Sequence, residues 1–296
     1  MEERGQSEWR EAWRELCRRR IIRGCLWIIA AFLLVALYGE IVYRYYQVTD
    51  RTPSYQQVNL AERYQPPSFP QHPFGTDNLG RDVLQRTVQG ARIAFMVGVV
   101  TSLIAIPIGV VLGCISGYFG RRVDDAVVWL YSTIESIPGL LFILAIAMVV
   151  GKGMLGVYLG IGLTTWVGLC RLLRGEVMKH RERAYVMAAR ALGYSSWRII
   201  FRHILPNVFH IVLITFSIRF PAAIGTEVFM SFLGIGVQGE PSWGIMISNA
   251  RLRLWQGMWW EMTAVTVAIL VVVLAFNLVG DALRDALDPR SRARES

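Results

Sequence analysis

The chain has 296 residues, is 54% hydrophobic and carries a formal charge of +9, with a mean hydropathy of +0.39. So much apolar content excludes an ordinary cytosolic domain. The basic excess is almost all arginine, since Lys152 and Lys179 are the only lysines, and it is sorted by loop, which is not the pattern of a nucleic-acid-binding face.

In chain order, residues 1–23 are charged, with Trp9, Trp13 and Leu16 at i, i+4 and i+7. They read equally as an amphipathic helix on the inner leaflet or as a solvated tail. Residues 24–43 form the first membrane helix, with Glu40 near its far end; no small-x-small site follows, so it reads as an uncleaved anchor. Residues 44–92 are an outer loop and helix entry, where Pro53, Pro66, Pro67, Pro70 and Pro73 break any helix. A five-helix core follows over 93–283, and 284–296 is a tail.

Uncharged runs define that core. Ile93–Gly120 has no charge over 28 residues, Gly153–Cys170 none over 18 and Met262–Gly280 none over 19. A helix needs roughly 20 apolar residues to cross a bilayer. Ala126–Gly151 is interrupted only by Glu135, and Val208–Gly236 carries Arg219 and Glu227. Each mid-membrane charge costs about 2.5–3.5 kcal/mol, while each large aliphatic returns about 0.3–0.6. That last segment is therefore marginal alone and should pack in a bundle with its charges toward protein or water. The plain alternative is that both charges snorkel to the two interfaces.

Six helical spans result, an all-α integral membrane protein. With the N-terminus inside, 21 lysines and arginines fall in cytosolic segments against 9 outside, which predicts cytosolic N- and C-termini. Cys17, Cys25, Cys114 and Cys170 have no CxxC spacing, and the four histidines are scattered, so neither a disulfide framework nor a metal site is expected.

Within the spans, Pro107, Pro138 and Pro221 read as kinks or as packing. Gly109, Gly113 and Gly117 form a small-residue stripe for close helix contact. Glu135 and Glu227 are the sharper candidates for a gate or path, because an intramembrane carboxylate is expensive.

The stretch Tyr185–Asn207 is a soluble insert between the fourth and fifth spans. It reads as two short helices joined at Gly193, with Ser195 and Ser196 as N-caps and Pro206 closing the second. Trp197, Ile200, Phe201 and Ile204 fall on one face of that helix. Ala188, Ala189 and Ala191 leave room for another backbone to approach.

Ala188-Ala189-x-x-x-Gly193 with Leu205-Pro206 resembles the cytoplasmic coupling loop of ABC importer permeases, their EAA motif. Met187 stands where a glutamate is common, and His203 where an isoleucine is. Phe74-Gly75-Thr76-Asp77-Asn78-Leu79-Gly80-Arg81-Asp82 is similar to the GTDxxGRDxxSR signature of the dipeptide/oligopeptide/nickel branch, with Gln85 replacing the serine. Glu227–Gly236, including Gly234, and Pro241-Ser242-Trp243-Gly244 are similar to that branch's EAxLSFLGLG and PSxWG stretches. The resemblance covers Phe74 to Asp288.

On the residues alone, Gly75 and Gly80 permit tight turns, and Asp77 and Asp82 suit helix N-termini. The resemblance implies an ABC importer permease fold in a bacterial-type plasma (inner) membrane. It implies that a coupling loop at about 174–207 docks on ATPase subunits through Tyr185, Ala188, Ala189, Gly193, Leu205 and Pro206. Partners would be a second permease, two ATP-binding cassette ATPases, an extracytoplasmic solute-binding protein and the bilayer. The cargo would be a peptide or a nickel chelate, moved by alternating access. No G-x-x-x-x-G-K-[ST] loop is present, so no cofactor is expected in this chain and ATP-Mg would sit on the partners. An autonomous channel or secondary carrier would not need the alanine loop, and no inverted repeat is visible. An intramembrane enzyme would need a nucleophile or metal constellation, and none is found.

Overall fold

A computed structural model describes Leu16 and residues 18–287; the expectations for Trp9, Trp13 and the tail beyond 287 lie outside the described residues. Among the described residues the chain is helical, with two isolated bridges, Ser68 to His72 and Thr76 to Asp82. Among these residues five helices are long and apolar enough to cross a membrane, or six if one bent pair counts as a single span.

The first helix, α1 (Arg20–Thr49), is longer at both ends than its apolar run and stops at Asp50 in left-handed conformation, three residues before Pro53. Helix α2 (Val83–Phe119) starts ten residues before the uncharged run. Its N-cap is Asp82, whose carboxylate accepts the Gln85 N–H at 2.9 Å, and Gly120 ends it at φ 63°. At 37 residues it is about 55 Å long, well beyond the roughly 30 Å of a hydrocarbon core. Pro107 sits inside it without breaking it.

At Pro138, which reads from sequence as a kink or as packing, the run Ala126–Gly151 bends sharply. Helices α3 (Arg121–Glu135) and α4 (Gly139–Val150) meet at 88° across Ser136-Ile137-Pro138. Proline disfavours helical geometry at the residue before it and withholds an N–H, which favours a break at this point. Helices α5 (Met154–Thr164) and α6 (Val167–Arg181) together make one span. Then come α7 (Ala184–Ala191), α8 (Ser196–Arg198), a π-helical stretch over Ile199–Ile204, and α9 (Leu205–Phe232). Helices α10 (Trp243–Ala250) and α11 (Trp260–Leu287) finish the bundle.

Helix α2 is the central post, and its glycines set the packing distances. Cβ atoms at Gly109, Gly113 and Gly117 would lie 2.9, 2.7 and 2.6 Å from the carbonyl oxygens of Trp166, Cys170 and Arg174, so the stripe is the α2–α6 seam. Gly98 receives the Phe220 ring in the same way. Phe220 stacks on Phe276 at 4.3 Å and meets Phe95 edge-on, joining α2, α9 and α11. The face of α1 and α11 turned away from the bundle is apolar and exposed, as at Leu34, Ile41 and Leu270, which suits lipid.

Candidate functional site

The knob between α6 and α9 is a two-faced object. Val186 and Ala189 of α7 are buried against Cys114, Tyr118, Val177, Ile199, Ile200 and Ile204. Met187, Ala188, Ala191 and Leu192 are exposed on the other side. The expectation that Ala189 presents itself outward is thus corrected: at 4% exposure it faces the body, and Ala188 and Ala191 make the open alanine face.

Gly193 ends α7 at φ 77°. Its N–H reaches the Arg190 carbonyl at 2.9 Å and the Tyr194 N–H reaches Ala189 at 3.1 Å, the paired closure that a left-handed residue permits. Ser195 then caps the next helix, its hydroxyl accepting the Arg198 N–H at 3.4 Å.

Pro206 does not close that helix. The Leu205 N–H bonds to the Ile200 carbonyl five residues back, and the chain continues through Pro206 into α9. The wider π turn makes room for a ring that lacks a donor. It also splits the expected apolar face: Ile199, Ile200 and Ile204 are buried, while Trp197 and Phe201 stack on each other at 5.9 Å and stay exposed. Leu205 is half-buried.

Polar ties fix the knob to the bundle. The Arg190 Nε donates to the Tyr118 hydroxyl at 3.2 Å, and Arg181 reaches the Tyr118 carbonyl at 3.4 Å. Tyr185 and His180 share a hydrogen bond at 2.7 Å, and burial raises the Tyr185 pKa above its ordinary value.

Helix α3 is tied down along its length. Asp124 accepts two hydrogen bonds from Arg174, at 2.5 and 2.6 Å, and one from the Ser116 hydroxyl at 2.5 Å. Glu135 pairs with Arg171 at the other end, directly before the 88° break that holds Pro138. Glu135 is therefore a paired, half-exposed group and not a solitary buried carboxylate. Arg171 and Arg174, one turn apart just after an apolar run, were the signal for this arrangement, which sequence reasoning missed.

Glu227 is 1% exposed and enclosed within the subunit. It accepts the Ser231 hydroxyl at 2.6 Å, and Ser231 in turn accepts the Val237 N–H at 3.0 Å. Gly234, at φ 77°, reverses the chain after α9, and Gly236 fits directly against Ser231. These residues build the turn that leads into α10.

At the opposite end from the knob, the 75–82 signature folds as one unit. Asp77 does not begin a helix; it is a hub. Its carboxylate accepts the Leu79 and Arg81 N–H groups at 2.8 and 2.9 Å and the Arg81 side chain at 2.7 Å, with Arg86 at 3.4 Å. Thr76 bridges Glu62 and Gln65, and its carbonyl accepts the Trp260 indole at 2.9 Å. Gly75 and Gly80, at φ 71° and 72°, lie where a Cβ would strike Gln65 and Asn59. Asp82 caps α2 and meets His72 at 2.9 Å. Burial of the Tyr64 phenol opposes its ionisation, but hydrogen bonds from Arg63 and Arg253 outweigh that and lower its pKa.

Two further ties at this end went unread in the sequence. Arg92 is 3% exposed, pairs with Glu40 and Glu240, and lies 3.9 Å over the Tyr43 ring. Trp243 donates its indole N–H to the Thr87 carbonyl at 3.0 Å.

Residues 109–293 match the family described as binding-protein-dependent transport system inner membrane component. Residues 7–67 match the N-terminal TM domain of oligopeptide transport permease C, so the likeness reaches into the stretch before Phe74. The dipeptide transport system permease protein DppC of Bacillus subtilis is 35% identical over 95% of this chain and 86% of its own length. The oligopeptide transport system permease protein OppC of the same organism is 35% identical over 97% of this chain and 91% of its own. The glutathione transport system permease protein GsiD of Pectobacterium atrosepticum is 31% identical over 97% and 93%.

Proposed function

Because the chain belongs to the binding-protein-dependent transport system inner membrane component family of ABC importer permeases, non-catalytic multi-pass subunits of the bacterial inner membrane, we propose that it carries peptides by ATP-driven alternating access. The names of its relatives favour peptides over nickel chelates as cargo. A second permease completes the path, two ATPases bind nucleotide and magnesium, and a solute-binding protein delivers the peptide outside. Both termini and the knob lie in the cytosol.

The observation that carries this reading is the exposed face of α7, with Ala188 and Ala191 bare on a base held by Val186, Ala189, Arg190 and Gly193. A small rigid face suits insertion into a partner's groove, since it loses little side-chain freedom on burial. Force on α7 would pass through the Ile199–Ile204 stretch into α9 and through the glycine seam into α2.

The test is Ala188→Asp in the assembled transporter. A buried unpaired carboxylate at the interface costs several kcal/mol, so the ATPases should dissociate or hydrolyse without transport while the permease inserts normally. Unchanged ATPase co-purification and peptide uptake would overturn the coupling role and favour an autonomous carrier.

A further inference from the structure

Among the described residues, Arg219 is the one cation in the middle of a long apolar helix, and no group there accounts for it. It sits at the midpoint of α9, Leu205–Phe232. From there either end of the helix is about 20 Å away at 1.5 Å per residue. Its charge is therefore set along the apolar body of the helix, away from both helix ends.

Among the described residues no hydrogen bond or ion pair reaches Arg219. The nearest carboxylate on its helix, Glu227, is eight residues on, which is about 12 Å. Glu227 is also buried on a different face, with Ser231 bound to it. Desolvated guanidinium groups are kept only where an anion or water meets them.

The surface around it is open. Ile218, Ala222, Gly225 and Phe229 fall at i, i+4, i+7 and i+11 and are exposed, and Arg219 borders this strip, half-buried. A Cβ at Gly225 would meet nothing within 4 Å. Pro221, two residues on, is buried. An anion arriving from outside the subunit thus finds an unpartnered, planar donor beside an exposed apolar strip, where a charged hydrogen bond is stronger than in water.

Resting on the reading of this chain as a peptide permease, we propose that Arg219 is a specificity-determining residue that takes the carboxylate of the peptide in mid-membrane. Every peptide with a free C-terminus carries that group whatever its side chains, so one guanidinium serves a varied cargo. The same carboxylate chemistry could come from an acidic residue of the second permease, and the experiment separates the two.

The complete transporter, with its second permease, ATPases and binding protein, is reconstituted in vesicles. Uptake of labelled dialanine is compared with that of dialanine amide at saturating binding protein, for wild type, Arg219→Gln and Arg219→Lys. The wild type should favour the free acid by about 10-fold or more in the transport step, the loss expected for one charged hydrogen bond. Arg219→Gln should abolish that preference with the ATPases still bound and the permease pair intact, and Arg219→Lys should retain part of it. If Arg219→Gln keeps the acid-to-amide ratio, the proposal is overturned. It is equally overturned if Arg219→Gln separates the permease pair and an acid-to-glutamine change in the second permease does the same, since the carboxylate then belongs to that subunit. Failure of the wild type to carry either compound, with the ATPases bound, would sink the peptide reading and the assignment to Arg219 with it. A wild type that carries both compounds equally well would overturn only the assignment to Arg219.

Discussion

The α2–α6 seam permits a quantitative test with its control built into the same helices. In Gly113→Ala the new methyl meets the Cys170 carbonyl oxygen at 2.7 Å and the Leu173 Cβ at 3.0 Å. Ordinary contact begins at 3.4 Å, so the helices must part by about 0.7 Å, enough to forfeit a quarter to a half of the dispersion along that line. The obstacle is backbone, and Gly109 and Gly117 make the same contact above and below, so no side chain can swing aside. Overpacking of this kind costs about 1–3 kcal/mol, against about 1 kcal/mol gained from the better helix propensity of alanine. The net is a loss of about 0–2 kcal/mol. Gly168 and Gly175 on α6 have nothing within 4 Å of a built Cβ, so alanine there should stabilise by up to about 1 kcal/mol. Unfolding of the purified protein in mixed micelles, followed by circular dichroism against a denaturing detergent, gives the three values. If Gly113→Ala is as stabilising as Gly168→Ala, the seam is not packed as described and the reasoning fails.

Three other outcomes follow from the same contacts. Asp77→Asn leaves Arg81 and the buried Arg86 without their anion, a loss of about 3–5 kcal/mol in the loop; hydrogen exchange over residues 59–82 should rise sharply while α2 stays protected, and unchanged exchange would refute the hub. Trp243→Phe keeps the ring against Gly90 but drops the bond to the Thr87 carbonyl, which should cost about 1 kcal/mol in the same unfolding assay. Ala189→Asp, unlike Ala188→Asp, places a charge in the apolar contact of α7 with the bundle, so it should expose the knob to protease even with no ATPase present.

Much of this arrangement was legible because the bilayer enforces it. A charge-free run of 28 residues permits little besides a membrane helix, and the glycines at four-residue spacing announced a seam that the Cβ positions bear out. Pro138 marked a possible kink, but the 88° angle was not legible, since hydropathy sees length and not direction. The π stretch was invisible for a similar reason: periodicity assumes 3.6 residues per turn, so Trp197 and Phe201 were placed on one face with Ile200 and Ile204. Asp77 read as a helix cap because sequence spacing cannot show that Arg81 and Arg86 fold back on it. The charge partners of Glu135 and Arg92 are distant in sequence and could not be paired from spacing alone.

The π stretch has a consequence for what the family can tolerate in length. Its i to i+5 bonding stores one surplus residue without rotating the helix beyond it. Removing a single residue from 199–204 would let the segment tighten to ordinary α geometry, with Arg219 and Glu227 still pointing the same way. The same deletion within Ile211–Ile214 has no slack to draw on and would rotate the rest of α9 by about 100°, carrying Glu227 out of its enclosure and Arg219 to the wrong side. Indels in this part of the chain should therefore be tolerated at the junction and nowhere deeper.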